Sequence, residues 1–504
     1  MNPRLAAQYS APKDFDVGDQ LTKEKGGAFT HQVHKVTHNE SKETYYQKYC
    51  DNHFAASVEA TAGQLFNLVM PYQPKTLIGK GADDKQYIYS QEVAGYQGVH
   101  DRCKTGEQYS DFKQQLHDGR IQGMGRMMVM DYFLQEVDAK LGNMGIAKIK
   151  GVDTLIKIDN DWCLSALQNN KFGYSNDPNV ASAKITEAGI SLLPLRDQQA
   201  VHNWMDCVQE GKVNLAYNSK ARFRLLEDSL PNAPHMRKEI NETLLKVLLL
   251  PQALMRDIAS RNCGKDSHYD DIAKELDNRQ GQMRDAALQN ASFRQYLKTG
   301  EAKQCLQEIQ TNITQFQTHT PLSSLDVTSQ PPQQLQLLTL ASQVADLQTT
   351  YAKGGVDLRE SYKNLTQMKT KIEEAVTIAG TINDDKQKQK FINLGVDVQH
   401  EMKAVEVQNV VQKKSELFDK AYDLVNSDEG GRLSKTNYLK YAEYLGTKAE
   451  ELRDLTGGGK AVATHSSAEY GNLATHFKGE VDRIKTDLSE ESQAQQSNEI
   501  KPNR

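Results

Sequence analysis

The sequence predicts an α+β fold followed by a separate all-α domain. Short strand-like runs, separated by Gly, Asn and Asp clusters, occupy roughly the first 100 residues. Helical patterns predominate beyond Asp111, and a segment rich in Pro, Ser and Thr at 318–335 precedes several long polar helical patterns. The 504 residues exceed the roughly 150 of a typical domain, so we expect two to four units.

The β-rich part contains strand patterns around one helix. The strand-like runs include "AFTHQVHKVTH", "ETYYQKYC", "TLIGKG" and "KQYIYSQEV". Between them, "FAASVEATAGQLFNLVM" places Val58, Leu65 and Leu68 at helical spacing. Further on, "AKIKGVDTLIKIDNDWCL" indicates two short strands joined by a glycine turn.

Composition excludes several classes of protein. A net charge of −5, with 25% charged and 38% hydrophobic residues, fits neither a polycation for nucleic acid nor a disordered acidic chain. The six cysteines form no CxxC pair and no Cys/His cluster, which favours reduced thiols. The N-terminus lacks a secretory signal, and the longest apolar run, "LLKVLLLPQALM", is too short to cross a membrane. We therefore expect no nucleic-acid partner and no transmembrane segment.

The segment "FLQEVDAKLGNMGI" carries the residues that point to chemistry. Phosphoryl transfer needs a carboxylate to orient the attacking hydroxyl, cations on the phosphates and bound metal ions. Asp138 is a candidate proton acceptor, Lys140 a candidate contact for the γ-phosphate, and Asn143 a candidate metal ligand. Alone, the segment also fits a polar turn, because Asp, Asn and Gly are common turn residues.

This D-x-K-x-x-N spacing, followed by strand patterns and "KIDND", resembles the catalytic loop and metal-binding aspartate of the protein-kinase superfamily. The resemblance implies that Asp159 is a metal ligand, although Asp161 in the same motif offers a second carboxylate. It further implies bound ATP and Mg²⁺, or Mn²⁺ in its place. The implied fold has a small β-rich lobe at 1–100 and an α-rich lobe at 101–320.

Upstream residues extend the resemblance. Lys48 and Glu59 match the strand lysine and helix glutamate that position the ATP phosphates. Gln91 and Val93 fall where the family's hinge binds adenine. After the kinase-like part we expect a linker at 321–335 and a helical accessory domain with a polar tail at 336–504.

The motifs also depart from the family. Glu136 and Val137 replace the His-Arg that precedes the catalytic aspartate, "DND" replaces Asp-Phe-Gly, and the Gly-rich loop is reduced to "GGAF". An atypical kinase acting on a protein hydroxyl is the first hypothesis, and Lys140 favours it over a lipid kinase. The alternatives are a pseudokinase scaffold and an adenylyl transferase on the same fold.

Two basic groups suggest binding of multivalent phosphates. The first is either a solvated helix face or a site for an activating inositol polyphosphate. It consists of Lys220, Arg222, Arg224, Arg237 and Lys238. The second surrounds "TGGGK", with Lys435 and Lys460, and is either a flexible linker in a structural bundle or a phosphoinositide pocket at a membrane surface.

The last residues, "DLSEESQAQQSNEIKPNR", are polar, and their composition predicts disorder. They resemble the C-terminal signal of type IV secreted effectors such as those of Legionella, with Glu490 and Glu491 as the glutamate block. Together with the kinase-like motifs, this resemblance implies an effector that is secreted into a host cell and phosphorylates a host protein.

Overall fold

A computed structural model defines the fold. The structure describes residues 15–20, 33–50, 52–80, 86–103, 105–139, 141–172, 184–194, 203–204, 230–263, 269–319, 327, 329–352, 358–427, 436, 439–440, 442–448, 450 and 467–499. The chain divides into two compact units, Met1–Leu335 and Gln336–Arg504.

A five-stranded antiparallel sheet begins the first unit. Its strands are β1 (Phe15–Gln20), β2 (Val33–His38), β3 (Thr44–Cys50), β4 (Thr76–Lys80) and β5 (Gln86–Gln91), in the spatial order β1-β2-β3-β5-β4. Because β3 lies in the middle, Lys48 is paired with Val33 on one side and Ile88 on the other. A residue at this position is held by two strand neighbours, which restricts where its side chain can reach.

Helix α1 (His53–Val69) covers one face of this sheet. The Asn52 side chain caps it by accepting hydrogen bonds from the N–H groups of Phe54 and Ala55. Its small residues Ala56 and Ala60 pack with buried side chains of the sheet, namely Cys50, Ile78 and Ile88. Since Lys48 is directly opposite Ile88, the lysine faces the helix that carries Glu59.

A second, four-stranded sheet follows, in the order β6-β9-β10-β7. Its strands are β6 (Gln97–Gly98), β7 (Ile121–Gln122), β9 (Met144–Ile149) and β10 (Val152–Lys157), while β8 (Asp138–Ala139) pairs instead with β11 (Asn203–Trp204). The hairpin between β9 and β10 turns at Lys150 and Gly151, both with positive φ, as the tight turn between twisted strands requires. The predicted pair of strands in this region is therefore correct.

Ten helices in the described part of the first unit complete it after α1. They are α2 (Val99–Arg102), α3 (Gly106–His117), α4 (Met124–Phe133), α5 (Ser165–Phe172), α6 (Glu187–Leu192), α7 (Pro234–Leu249), α8 (Gln252–Cys263), α9 (Tyr269–Gln289), α10 (Ala291–Tyr296) and α11 (Gly300–His319).

Buried charged side chains hold both ends of α4. At its start, the Glu239 carboxylate accepts hydrogen bonds from the N–H groups of Gly123 (2.7 Å) and Gly125 (2.9 Å). At its end, the Arg279 guanidinium donates to the carbonyls of Tyr132 (2.6 Å) and Phe133 (2.5 Å). These contacts satisfy main-chain groups that a helix leaves without internal partners. They also fix the point from which the chain enters the segment of Asp138.

The second unit is helical. Its main helices are α12 (Gln330–Ala352), which begins just before the unit boundary, α13 (Leu358–Thr381), α14 (Asp385–Ser427) and α15 (Ser467–Glu499). Leu340, Leu365 and Val398 belong to a core shared by α12, α13 and α14. A second cluster joins α14 and the helical residues 442–448 to Phe477 of α15.

The structure confirms the predicted α+β class, with a β-rich N-terminal part and a helical remainder. Two local predictions are wrong. Helix α12 begins at Gln330, inside the predicted linker, because prolines are tolerated in a first turn whose N–H groups lack helical partners. The C-terminal segment predicted as disordered is helical as far as Glu499, and its Glu, Gln and Ala residues are good helix formers. Within the described residues, every helix is too short or too polar to cross a bilayer.

Candidate active site

The Lys48 side chain lies at the centre of a group of acidic residues. Its ammonium nitrogen is 3.3 Å from Oε1 and 3.2 Å from Oε2 of Glu59, on helix α1. Both side chains are largely buried, with 12% of Lys48 and 7% of Glu59 exposed. A buried lysine held by a carboxylate keeps its charge and has a fixed direction, which suits contact with a phosphate.

Two further carboxylates reach the same ammonium from the segment after β10. Lys48 Nζ lies 2.9 Å from Oδ1 of Asp159 and 3.0 Å from Oδ2 of Asp161. Asp159 is 111 residues from Lys48 in the chain and adopts a backbone φ of 65°. This left-handed conformation is uncommon outside glycine, although aspartate adopts it more readily than most residues, and such conformations cluster at functional sites.

The charges of this group are unbalanced. Burial disfavours a charge on Lys48, but the carboxylates of Glu59, Asp159 and Asp161 outweigh it and hold the pKa of the lysine well above its ordinary value. Burial, followed by repulsion from Asp159, raises the pKa of Asp161 to about 8. Three carboxylates around one ammonium favour the addition of another cation.

The donor atoms fit Mg²⁺ or Mn²⁺. Carboxylate oxygens of Asp159 and Asp161 and the amide oxygen of Asn143 are hard ligands of the kind Mg²⁺ prefers. In the described part of the chain, no three His, Cys, Asp or Glu side chains form a complete metal site. This is compatible with Mg²⁺, which usually takes one or two protein carboxylates and completes its shell with water and substrate phosphates.

Asp138 and Asn143 form a second group. Asp138 is 4% exposed, at the start of β8, and Asn143 ends the short 3₁₀ segment Leu141–Asn143. The Asn143 amide nitrogen donates to the Asp138 carbonyl at 3.0 Å and to its Oδ2 at 3.1 Å. The Asn143 carbonyl accepts from the N–H of Ile158 at 2.8 Å, which joins this loop to the residue before Asp159.

The proposed hinge residues lie at the end of β5 and directly after it, since Gln91 is the last residue of this strand. The N–H of Gln91 donates to the Lys75 carbonyl at 2.9 Å, and its side-chain amide donates to Glu43 at 2.8 Å. The Val93 carbonyl accepts from the N–H of Tyr96 at 3.1 Å, so the chain turns directly after this position. Lys140, the remaining residue of the predicted loop, lies outside the described residues.

The proposed phosphate-ligand sites are only partly described. Arg237 donates to the carbonyls of Pro231, Ile190, Ser191 and Leu193, so its guanidinium stabilises a turn of the chain. Lys238 is exposed and pairs with Glu301 at 2.7 Å. The structure thus commits both side chains to other partners. The residues not described are Lys220, Arg222, Arg224, Lys435 and Lys460.

The structure adds two residues that the motif analysis did not assign. Glu136, noted only as a departure from the family pattern, forms a buried ion pair with Lys157. The one signal for such a role in the sequence is the position of these charges beside apolar residues, Glu136 next to Val137 and Lys157 after "TLI". That pattern indicates burial and gives no information about the partner.

Comparisons with known proteins are limited. No protein-family profile and no curated protein matches this chain. Among solved structures, it is similar to the crystal structure of CtkA, a proinflammatory kinase of Helicobacter pylori. The identity is 13%, the match covers 53% of this chain and 94% of that one, and the TM-score is 0.33. A score at this level does not establish a common fold.

Proposed function

We propose that this chain is an ATP-dependent kinase that transfers the γ-phosphate to a protein hydroxyl. The observation that carries the proposal is the convergence on Lys48 of Glu59 from α1 and Asp159 from the segment after β10. A desolvated, permanently charged lysine beside carboxylates that suit Mg²⁺ is the arrangement that binding of a triphosphate requires.

Each residue has a distinct role in this mechanism. Lys48, positioned by Glu59, binds the α- and β-phosphates, and Asp159 and Asn143 would hold the metal ion. When bound, that ion neutralises charge on the phosphates. Asp138 accepts the proton of the substrate hydroxyl while the oxygen of that hydroxyl bonds to the γ-phosphorus. The bond between the γ-phosphorus and the bridging oxygen breaks at the same time, and ADP is released. Lys140 is the proposed contact for the γ-phosphate.

Labelled ATP tests the proposal. Full-length protein with Mg²⁺ or Mn²⁺ should transfer label from γ-labelled ATP to itself or to a generic protein acceptor, and none from α-labelled ATP. Lys48→Met should lower the transfer rate by about 100-fold, because it removes a cation from the phosphates. Lys148→Met is the matched control, since Lys148 on β9 is exposed and, within the described part of the chain, forms its ion pair with Asp153.

Other outcomes select the other candidates. Label from α-ATP identifies adenylyl transfer, and label on lipid alone identifies a lipid kinase. Binding of ATP without any transfer, under both metals, identifies a pseudokinase. The contact of Asp161 with Lys48 favours that last candidate, because a further carboxylate on the lysine competes with the phosphates.

Three further proposals concern the role of the protein in the cell. The polar, glutamate-bearing C-terminus supports secretion by a type IV system and a host protein as substrate. The remaining basic residues of the first group, Lys220, Arg222 and Arg224, support activation by an inositol polyphosphate, and unchanged activity on its addition would refute this. The "TGGGK" segment supports recruitment to phosphoinositide membranes, which equal sedimentation with neutral and phosphoinositide vesicles would refute.

A further inference from the structure

One ion pair lies entirely inside the first unit, next to the candidate active site. Lys157 Nζ is 3.2 Å from Oε2 of Glu136, and only 1% of each side chain is exposed. Lys157 is the last residue of β10, and Glu136 belongs to the connection between α4 and β8. Burial disfavours charge on Lys157, but the carboxylates of Glu136 and Asp131 hold its pKa above the ordinary value.

The pair contacts the main chain on both sides of the site. Glu136 Oε1 accepts a hydrogen bond from the N–H of Asp138 at 2.8 Å. Lys157 Nζ donates to the carbonyl of Asp159. A continuous set of contacts therefore runs from the proposed base, through two side chains, to the proposed metal ligand.

Two neighbours restrict the pair further. The Cys163 thiol donates to Oε2 of Glu136 at 3.3 Å. The Lys157 ammonium lies 5.9 Å from the centre of the Phe66 ring, on helix α1, within the range of a cation–π contact. The lysine thus also touches the helix that carries Glu59.

Stability alone is a poor explanation for such a pair. Removing two charges from water costs about as much as their attraction returns, and apolar residues of the same size often serve equally well. Small displacements of reacting groups, in contrast, are costly, since a shift of about 1 Å can lower a rate about 100-fold. A buried pair with two main-chain contacts is suited to holding positions.

We infer that Glu136 and Lys157 are positioning residues that fix Asp138 and Asp159 relative to each other. Glu136 stands where the protein-kinase pattern has His-Arg. Its ion pair with Lys157 therefore connects the loop of Asp138 to the end of β10, next to Asp159. The inference rests on the proposed kinase function.

A double-substitution cycle tests it. Glu136→Gln and Lys157→Met each leave one buried polar group without its charged partner, so both should lower the melting temperature and kcat. The double variant removes both charges and should recover much of the melting temperature. Its kcat should stay at least about 10-fold below wild type, because the Asp159 carbonyl has lost its donor, and the concentration of Mg²⁺ that gives half-maximal activity should rise. Recovery of kcat together with stability would overturn the inference.

Two further variants distinguish an effect on the placement of Asp138 and Asp159 from an effect on the stability of the fold. Glu136→Asp keeps the charge and shortens the side chain, so it should fold and still lower kcat by about 10-fold. The Lys246–Glu308 pair, at 2.8 Å between α7 and α11, provides the control. Lys246→Met should lower the melting temperature and leave kcat unchanged. A wild-type kcat in Glu136→Asp would contradict a positioning role.

Failure of the kinase proposal itself has a different signature. If wild-type protein binds ATP without transferring phosphate, the proposed kinase function is refuted. The positioning of Asp159 by Glu136 and Lys157 can then still be tested by measuring binding. In that case, the factor by which Mg²⁺ raises the affinity for ATP should be at least about 10-fold larger in wild type than in the double variant. Equal strengthening in both would overturn the positioning of Asp159.

Discussion

Asp159→Asn should lower the rate of phosphoryl transfer by about 1,000-fold at saturating ATP. The substitution keeps size and shape but removes the negative charge that would hold the metal ion in the proposed mechanism. That ion would stabilise the negative charge that develops on the phosphates. Lys48 retains Glu59 and Asp161 as partners, so the fold should persist. The rate and the concentration of Mg²⁺ that gives half-maximal activity are the measurements, and the second should rise.

Asp161→Asn provides the internal comparison. Both aspartates contact the same ammonium, at 2.9 and 3.0 Å, so loss of a contact with Lys48 is common to the two variants. If Asp159 is the metal ligand, Asp161→Asn should have much the smaller effect on the Mg²⁺ requirement. The reverse order would assign the metal to Asp161. Asp153→Asn, near the start of β10, changes a half-buried aspartate that pairs with Lys148 and Arg102, and it should leave both quantities unchanged.

Asp138→Asn should lower kcat by about 100- to 10,000-fold, the range for loss of a general base. The KM for ATP should change little, because the carboxylate acts on the substrate hydroxyl in the transition state. An asparagine retains an oxygen that can accept from Asn143, so the hydrogen bond now seen at 3.1 Å should be kept. Steady-state kinetics and a melting curve are the measurements.

The pattern of effects decides the role of Asp138. A higher KM with an unchanged kcat would contradict the proposed base and indicate a residue that binds ATP. A large loss of melting temperature would indicate a structural role, because Asp138 is buried. Asp153→Asn again provides the matched control, as it makes the same chemical change at a half-buried aspartate that pairs with Lys148 and Arg102.

Local patterns in the sequence predicted much of the first unit. The alternation along "ETYYQKYC" corresponds to β3, and the helical spacing of Val58, Leu65 and Leu68 corresponds to α1. Strand and helix periods are properties of neighbouring residues, so they can be read without the fold. The order of Lys48, Glu59, Asp138, Asn143 and Asp159 was likewise visible, because a catalytic motif is a statement about residue type and spacing.

Other predictions failed for reasons that are also local. The prolines at 331 and 332 indicated a linker, but a first helical turn tolerates proline. The polar C-terminal residues indicated disorder, but few apolar residues are needed to extend a helix that has already formed. In both cases the position of the residues within a helix outweighs their composition.

The sequence by itself determined the α+β class and the main elements of the sheet, and it supplied the candidate residues for the proposed phosphoryl transfer. Only the tertiary structure decided which of them meet. The contact of Asp161 with Lys48 joins residues 113 apart, and the pair of Glu136 and Lys157 joins residues 21 apart on different elements. Contacts of this kind depend on how a sheet, a helix and two loops pack together. The periodicity of residues along the chain gives no information about the distance in space between residues on different elements.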